Sequence, residues 1–263
     1  MEIRKQPAVR GWIWIKQGYQ LIMRKPLMSV ALALIAALVL FSALIVPQLG
    51  PLIFIMLMPL VMAGYMRICH ALEYDEEIEL AYLFEGFQKH TAQLLALGGF
   101  ALLGLIIASI AMIFIGGEEL TALLESVKSV NDPQVLVDAM WSAGPGVDFS
   151  LIVGFMLVLV LMLALQYAPM LVFFDNVPPF VALRASLSGS FRNLVPYTVY
   201  NLLMQMIALV LSKIPFNLGI IVLIPLSLTS LYVSYRNIFP TENEVGTPPP
   251  QNALDSSSDQ VQS

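Results

Sequence analysis

The chain has 263 residues, of which 58% are hydrophobic and 12% charged, with a mean hydropathy of +0.80. A water-soluble fold of this length has no interior large enough for that much apolar surface, whereas a bilayer accepts it. A lone cysteine, Cys69, excludes an internal disulfide, two histidines (His70 and His90) leave little for a metal cluster, and the net charge of −5 says little about partners because acids and bases fall in different loops.

The chain opens on a basic segment holding Arg4, Lys5, Arg10, Lys16, Arg24 and Lys25. Within it, residues 11–25 predict an interfacial helix, with Trp12, Ile15, Tyr19 and Ile22 at helical spacing and basic residues on the other side. A first apolar run, 27–46, is followed across Pro47-Gln48-Leu49-Gly50-Pro51 by a second, 49–66. Next comes an acidic stretch, Glu73, Asp75, Glu76, Glu77 and Glu79, beside the amphipathic Ile78-Leu80-Leu83-Phe84 side. The third run is 93–115, with a small-residue face of Ala101, Gly104, Ala108 and Ala111. Residues 116–148 form a long acidic loop with two expected amphipathic helices, one using Leu120, Leu123, Leu124 and Val127, the other capped by Asp132 with Pro133 in its first turn. A fourth run, 149–174, leads to a second basic helix from Pro178-Pro179 to Asn193, carrying Arg184 and Arg192. The fifth and sixth runs, 194–212 and 218–235, are joined across Lys213-Ile214-Pro215, and residues 237–263 read as a disordered tail rich in Pro, Ser and Asp.

Each run is long enough, or nearly so, to span a hydrocarbon core of about 30 Å as a helix of roughly 20 residues. Continuous apolar runs exclude a barrel, so the fold class is an all-α membrane protein with six transmembrane helices. The first run is too long for a cleaved signal peptide and a second span follows it at once. Eleven of the 13 Lys and Arg residues (those of the N-terminal segment with Arg67, Lys89, Arg184, Arg192 and Arg236) fall on one side of the trace, against Lys128 and Lys213 on the other. Positive loops stay in the cytoplasm, which gives both termini inside. The spacing also suggests a repeat of three hairpins, each preceded by a cytoplasmic interfacial helix. Lys16 precedes Arg24, and Arg184 precedes Arg192, by eight residues, and Pro26 or Pro196 then enters the span.

These landmarks carry a family resemblance. Gly11-Trp12-Ile13-Trp14-Ile15, Arg24-Lys25-Pro26, Leu83-Phe84-Glu85-Gly86-Phe87, Ala182-Leu183-Arg184-Ala185-Ser186 and Tyr235-Arg236-Asn237-Ile238-Phe239 resemble an uncharacterised group of proteobacterial inner-membrane proteins. The layout is more distantly similar to the membrane domain beside glycerophosphodiester phosphodiesterases. The resemblance implies a multi-pass fold in the bacterial inner membrane and brings no activity.

No ionisable residue lies within the six runs, which disfavours proton-coupled carriage and catalysis at membrane depth. Thr198, Asn201, Gln205 and Ser212 share one helix face with Ala208, and Ser227, Ser230 and Ser234 share another. They read either as interhelical hydrogen-bonding contacts or, with Gln166 and Tyr167 near Pro169, as an uncharged polar path. Trp12, Trp14, Lys16, Arg24, Lys25, Arg184 and Arg192 suit contact with lipid headgroups, and positive-inside insertion accounts for the same bases. His70 and Glu73 are one turn apart but lack a partner motif for metal; the acidic stretch is also free to be a solvated face or to pair with Lys16, Arg24, Arg184 or Arg192. Methionines 56, 58, 62 and 66 suit packing better than copper. No catalytic motif, cofactor site or nucleic-acid module is found. The expected partners are the lipid bilayer and a membrane or periplasmic protein docking on 116–148. The expected role is a non-enzymatic scaffold, assembly or envelope-homeostasis component, with a transporter or lipid-handling protein as the alternative.

Overall fold

The computed structural model describes residues 3–127, 144–214 and 218–240, and every regular element among them is helical. In chain order these are α1 (Arg10–Arg24), α2 (Pro26–Ser42), α3 (Gly50–Glu73), α4 (Thr91–Val127), α5 (Pro145–Gln166), α6 (Ala168–Asp175), α7 (Pro179–Arg192), α8 (Leu194–Leu211) and α9 (Gly219–Ile238). Short 3-10 segments occupy Ala43–Ile45 and Leu80–Phe87. Six stretches are long and apolar enough to cross a bilayer: Pro26–Ile45, Gly50–Glu73, Thr91–Glu125, Pro145–Asp175, Leu194–Leu211 and Gly219–Ile238. They overlie the six apolar runs. The second helix outlasts its run because buried Ile68, Cys69, Ala71 and Leu72 hold its last turns while Arg67 and His70 are only partly exposed.

Two local features differ from the sequence pattern. The fourth run is not one helix: Tyr167 separates α5 from α6, and Pro169 opens the second piece. Proline has no N–H and crowds the preceding turn. At the break the buried Ser186 hydroxyl donates to Leu163 O (2.9 Å) and accepts from Tyr167 N–H (3.0 Å). Those two groups are four residues apart, so the hydroxyl is inserted in place of one rung of the helical ladder. Ser186→Ala removes both hydrogen bonds from a buried site and is expected to cost about 1–3 kcal/mol, read as a lowered thermal midpoint in detergent; an unchanged midpoint would show that the rung closes by itself. The second feature is α4, which bends at Gly117 (φ +55°), a left-handed conformation suited to glycine, and continues to Val127. This supplies the first helix expected in the loop, with Leu120 buried. The second, at Asp132 and Pro133, lies outside the described residues.

The described residues form two compact units, one comprising those up to 35, 65–82 and those of 188–240, the other 36–64 and those of 83–187. In the first, α1 packs on α8 and α9. Its buried face is Gly11, Trp14, Ile15, Gly18, Leu21 and Ile22. Arg10 reaches Asn237 while Gly18 meets Ser230, so α1 runs antiparallel to α9. Glycines let the backbones approach: a Cβ on Gly11 would sit 2.5 Å from Pro196 O, and one on Gly18 2.8 Å from Ser230 N. In the second unit α4 packs on α5, with Gly104 against Leu161 and Gly154 against Met112. The 3-10 segment lies backbone to backbone on α3, Gly64 facing Leu83 and Gly86 facing Leu60. Ala101 and Ala108 of the third-run small face are buried, the usual use of such a face.

Candidate functional site

A cluster of charged and hydrogen-bonding side chains in the first unit is built on the C-terminal end of α3. A helix end leaves carbonyls without partners and carries partial negative charge, so cations gather there. Arg24 fills that role, its Nη1 donating to Leu72 O (3.0 Å) and Glu73 O (2.7 Å) and lying 3.4 Å from Asp75 Oδ1. Lys25 Nζ donates to Glu76 O at 3.0 Å. Asp75 sits in the left-handed region (φ +55°), and Glu76 N–H reaches back to Ala71 O (2.9 Å), the hydrogen bond that closes a helix by a Schellman turn. Asp75→Gly removes the left-handed strain and is expected to raise stability by up to about 1 kcal/mol. A lowered midpoint would mean that the exposed pair with Arg24 outweighs it.

From α9, Tyr232 Oη donates to Glu73 Oε2 (2.8 Å) and Arg236 forms an ion pair with the same carboxylate. Arg236 also covers the Tyr74 ring (5.8 Å to its centre). Arg67 of α3 donates to Glu76 Oε2 (2.7 Å) and stacks over Tyr82 (4.3 Å). That hydrogen bond holds the Glu76 carboxyl below the usual carboxylate range. Its contribution to stability is therefore present at neutral pH and fades as pH falls through the lowered value. His70 Nδ1 lies 3.5 Å from Arg67 Nη1 and 3.8 Å from Glu76 Oε1. Each carboxylate named in this cluster has a cation beside it. The arrangement fastens α1, α3 and α9 at one end. The pairing option for the acidic stretch thus applies to Arg24, while Lys16, Arg184 and Arg192 have no acidic partner among the described residues.

A second network was not legible beforehand. Asn193, 1% exposed between α7 and α8, accepts from Gln6 N–H (2.7 Å) and donates to Arg4 O (3.1 Å) and Gly189 O (2.9 Å). Gln6 Nε2 donates to Asn237 O (2.7 Å), and Arg4 N–H to Ile238 O (3.0 Å). Phe239, buried, lies against Gly189. Residues 237–239, which composition assigns to the tail, are thus the anchor for the N-terminal segment.

The predicted polar face divides. Thr198, Asn201 and Gln205 of α8 and Ser212 at its C-cap are all exposed. Thr198 and Ser212 donate to their own helix carbonyls, Leu194 O and Leu209 O, and Asn201 Nδ2 donates to Tyr197 O. On α9, Ser230 and Ser234 are buried and Ser227 half-buried; Ser227 and Ser234 donate to Ile224 O and Leu231 O, and Ser230 Oγ has no partner among the described residues. One face is thus exposed and the other largely buried: α8 turns Pro196 and Tyr200 toward α1, and Tyr200 Oη donates to Ser227 O (3.4 Å). Gln166, in the other unit, is half-buried at the end of α5.

The headgroup set also divides. Trp12, Lys16, Arg24, Arg184 and Arg192 are exposed and Lys25 is partly so. Trp14 is 0% exposed, packed edge-to-face on Tyr200 at 6.3 Å, so it is a core residue and not a headgroup anchor. The stripe of Trp12, Ile15, Tyr19 and Ile22 is corrected accordingly: Trp12 and Tyr19 face outward, because the buried stripe is organised around Gly11 and Gly18.

No family model matches the chain and no solved structure matches it, so the likeness to the phosphodiesterase-associated membrane domain has no support. The chain is similar to a probable inner membrane protein of Burkholderia thailandensis, 28% identical over 281 aligned positions that cover 97% of this chain and 100% of the relative. With six helices of spanning length and apolarity, that likeness makes the chain a multi-pass inner-membrane protein.

Proposed function

We propose that the chain is a non-enzymatic membrane component, a scaffold, assembly or envelope-homeostasis factor, inserted with both termini in the cytoplasm as three hairpins, each led by a short basic or 3-10 segment. The observation that carries this reading is the use made of the polar groups. The acids at the end of α3 pair with bases and with Tyr232 of α9, which fastens helices, and Ser227 and Ser234 of α9 donate to carbonyls of their own helix. The amides of α8, Asn201 and Gln205, are exposed, whereas Ser230 and Ser234 of α9 are buried. Neither arrangement presents an activated group or a polar route. The acidic loop 116–148 is the surface proposed to meet a membrane or periplasmic partner.

The test is complementation of a deletion strain by the Asn201→Leu and Gln205→Leu variants. A scaffold predicts loss of protein level or assembly, with the strain's metabolite and lipid profiles following that loss. Normal level and assembly with altered uptake would instead establish a transporter or lipid-handling protein.

A further inference from the structure

The exposed face of α8 has a spacing that the single chain does not use. Thr198, Asn201, Gln205, Ala208 and Ser212 follow one another at intervals of three, four, three and four, the seam of a two-helix coiled coil. Four of the five are exposed and Ala208 is half-exposed. The helix is 18 residues, about 27 Å at 1.5 Å per residue, and Asn201 and Gln205 are its eighth and twelfth residues. They therefore sit at its middle, where a lipid-facing amide has no water to bond.

The hydrogen-bond count is specific. Thr198 and Ser212 are satisfied by their own helix. Asn201 uses one N–H on Tyr197 O, leaving its carbonyl and its other N–H, and Gln205 has no partner among the described residues. Burying such groups unpaired in hydrocarbon is unfavourable, so a partner helix is called for. An amide is both donor and acceptor, which makes it complementary to itself. In a parallel pair of helices the seam residues meet their own counterparts, and both copies of a membrane protein enter in the same orientation. Small Ala208, Thr198 and Ser212 at the other seam positions let the two backbones approach.

We infer that the chain forms a parallel homodimer through α8, with Asn201 against Asn201 and Gln205 against Gln205 of a second copy. The two-fold axis lies along the membrane normal, and the buried amides set the register. This deepens the scaffold reading, yet it stands on the α8 face alone.

The experiment uses the full chain with Cys69→Ala in native membranes, oxidised to form disulfides. Asn201→Cys and Gln205→Cys are expected to give a crosslinked dimer, and Val210→Cys, exposed on the opposite side of the seam, is not. In the otherwise unmodified chain, Asn201→Leu with Gln205→Leu is expected to lower the dimer fraction counted in lipid nanodiscs at least roughly tenfold, with the thermal midpoint of the monomer retained. Equal crosslinking at Val210→Cys, or a monomer at every position, would overturn the dimer. So would exclusive crosslinking to a different protein, which would leave a scaffold role intact. Reaction of Asn201→Cys and Gln205→Cys with a small hydrophilic thiol reagent would overturn both the dimer and the scaffold.

Discussion

Gly18→Leu is expected to destabilise the chain by about 1–3 kcal/mol or more, because overpacking of a close helix contact forces backbone shifts. A Cβ at Gly18 meets Ser230 Oγ at 2.5 Å, its N at 2.8 Å and its Cα at 2.9 Å. Two of these are backbone atoms that no rotamer change moves, so α1 must lift from α9. The movement would draw Trp14 away from Tyr200, which lets tryptophan fluorescence report it together with the thermal midpoint. Gly99→Leu is the control, since nothing lies within 4 Å of its Cβ position and leucine is the better helix former. An equal loss for the two variants would mean that the effect is general and that the α1–α9 seam is not tight.

The second large effect is expected at Asn193. Asn193→Leu keeps the branched side-chain skeleton but removes three hydrogen bonds, those with Gln6 N–H, Arg4 O and Gly189 O. At about 1 kcal/mol net for each bond, with the added cost of leaving buried groups unmet, the loss is about 2–4 kcal/mol. It should appear first as release of the N-terminal segment: a protease site placed ahead of Gln6 becomes cleavable in the variant at temperatures where the parent resists. Asn193→Asp, which keeps the acceptor for Gln6 N–H and loses the donors, is expected to fall between the two. A variant with parental protease resistance would show that the N-terminal segment is held by α9 alone.

The six spans were legible because hydropathy integrates over about twenty residues and tolerates local error. What escaped were features that depend on one atom or on none. Gly11 and Gly18 organise the buried stripe of α1, but a stripe is sought among apolar side chains, and glycine has none. The apolar stripe of Trp12, Ile15, Tyr19 and Ile22 therefore holds two buried residues, Ile15 and Ile22, and two that face outward, while Trp14, whose type suits a headgroup, is core. Pro169 marks a break in the fourth run, yet the hydroxyl that completes it comes from Ser186, distant in sequence. Asn193 and Asn237 carry no periodic signal, and their partners lie near the other end of the chain. Which way the polar face on α8 turns depends on packing that a helical wheel does not contain. Several resemblance motifs gain a physical meaning here. Gly11 to Ile15, Arg24 to Pro26 and Tyr235 to Phe239 supply, respectively, the glycine contact on α8, the cap of α3 and the anchor of the N-terminal segment.

The central proposition is that the polar groups within the spans serve packing and assembly and do not line an aqueous route. It is tested most directly by thiol accessibility. Asn201→Cys, Gln205→Cys and Ser230→Cys, each with Cys69→Ala, would be exposed in inner-membrane vesicles to a small, charged methanethiosulfonate reagent, with a cysteine at Glu79 as the solvent-facing reference. The expected result is rapid modification of the reference and none at the three span positions; modification of all three would contradict it and establish a water-filled path.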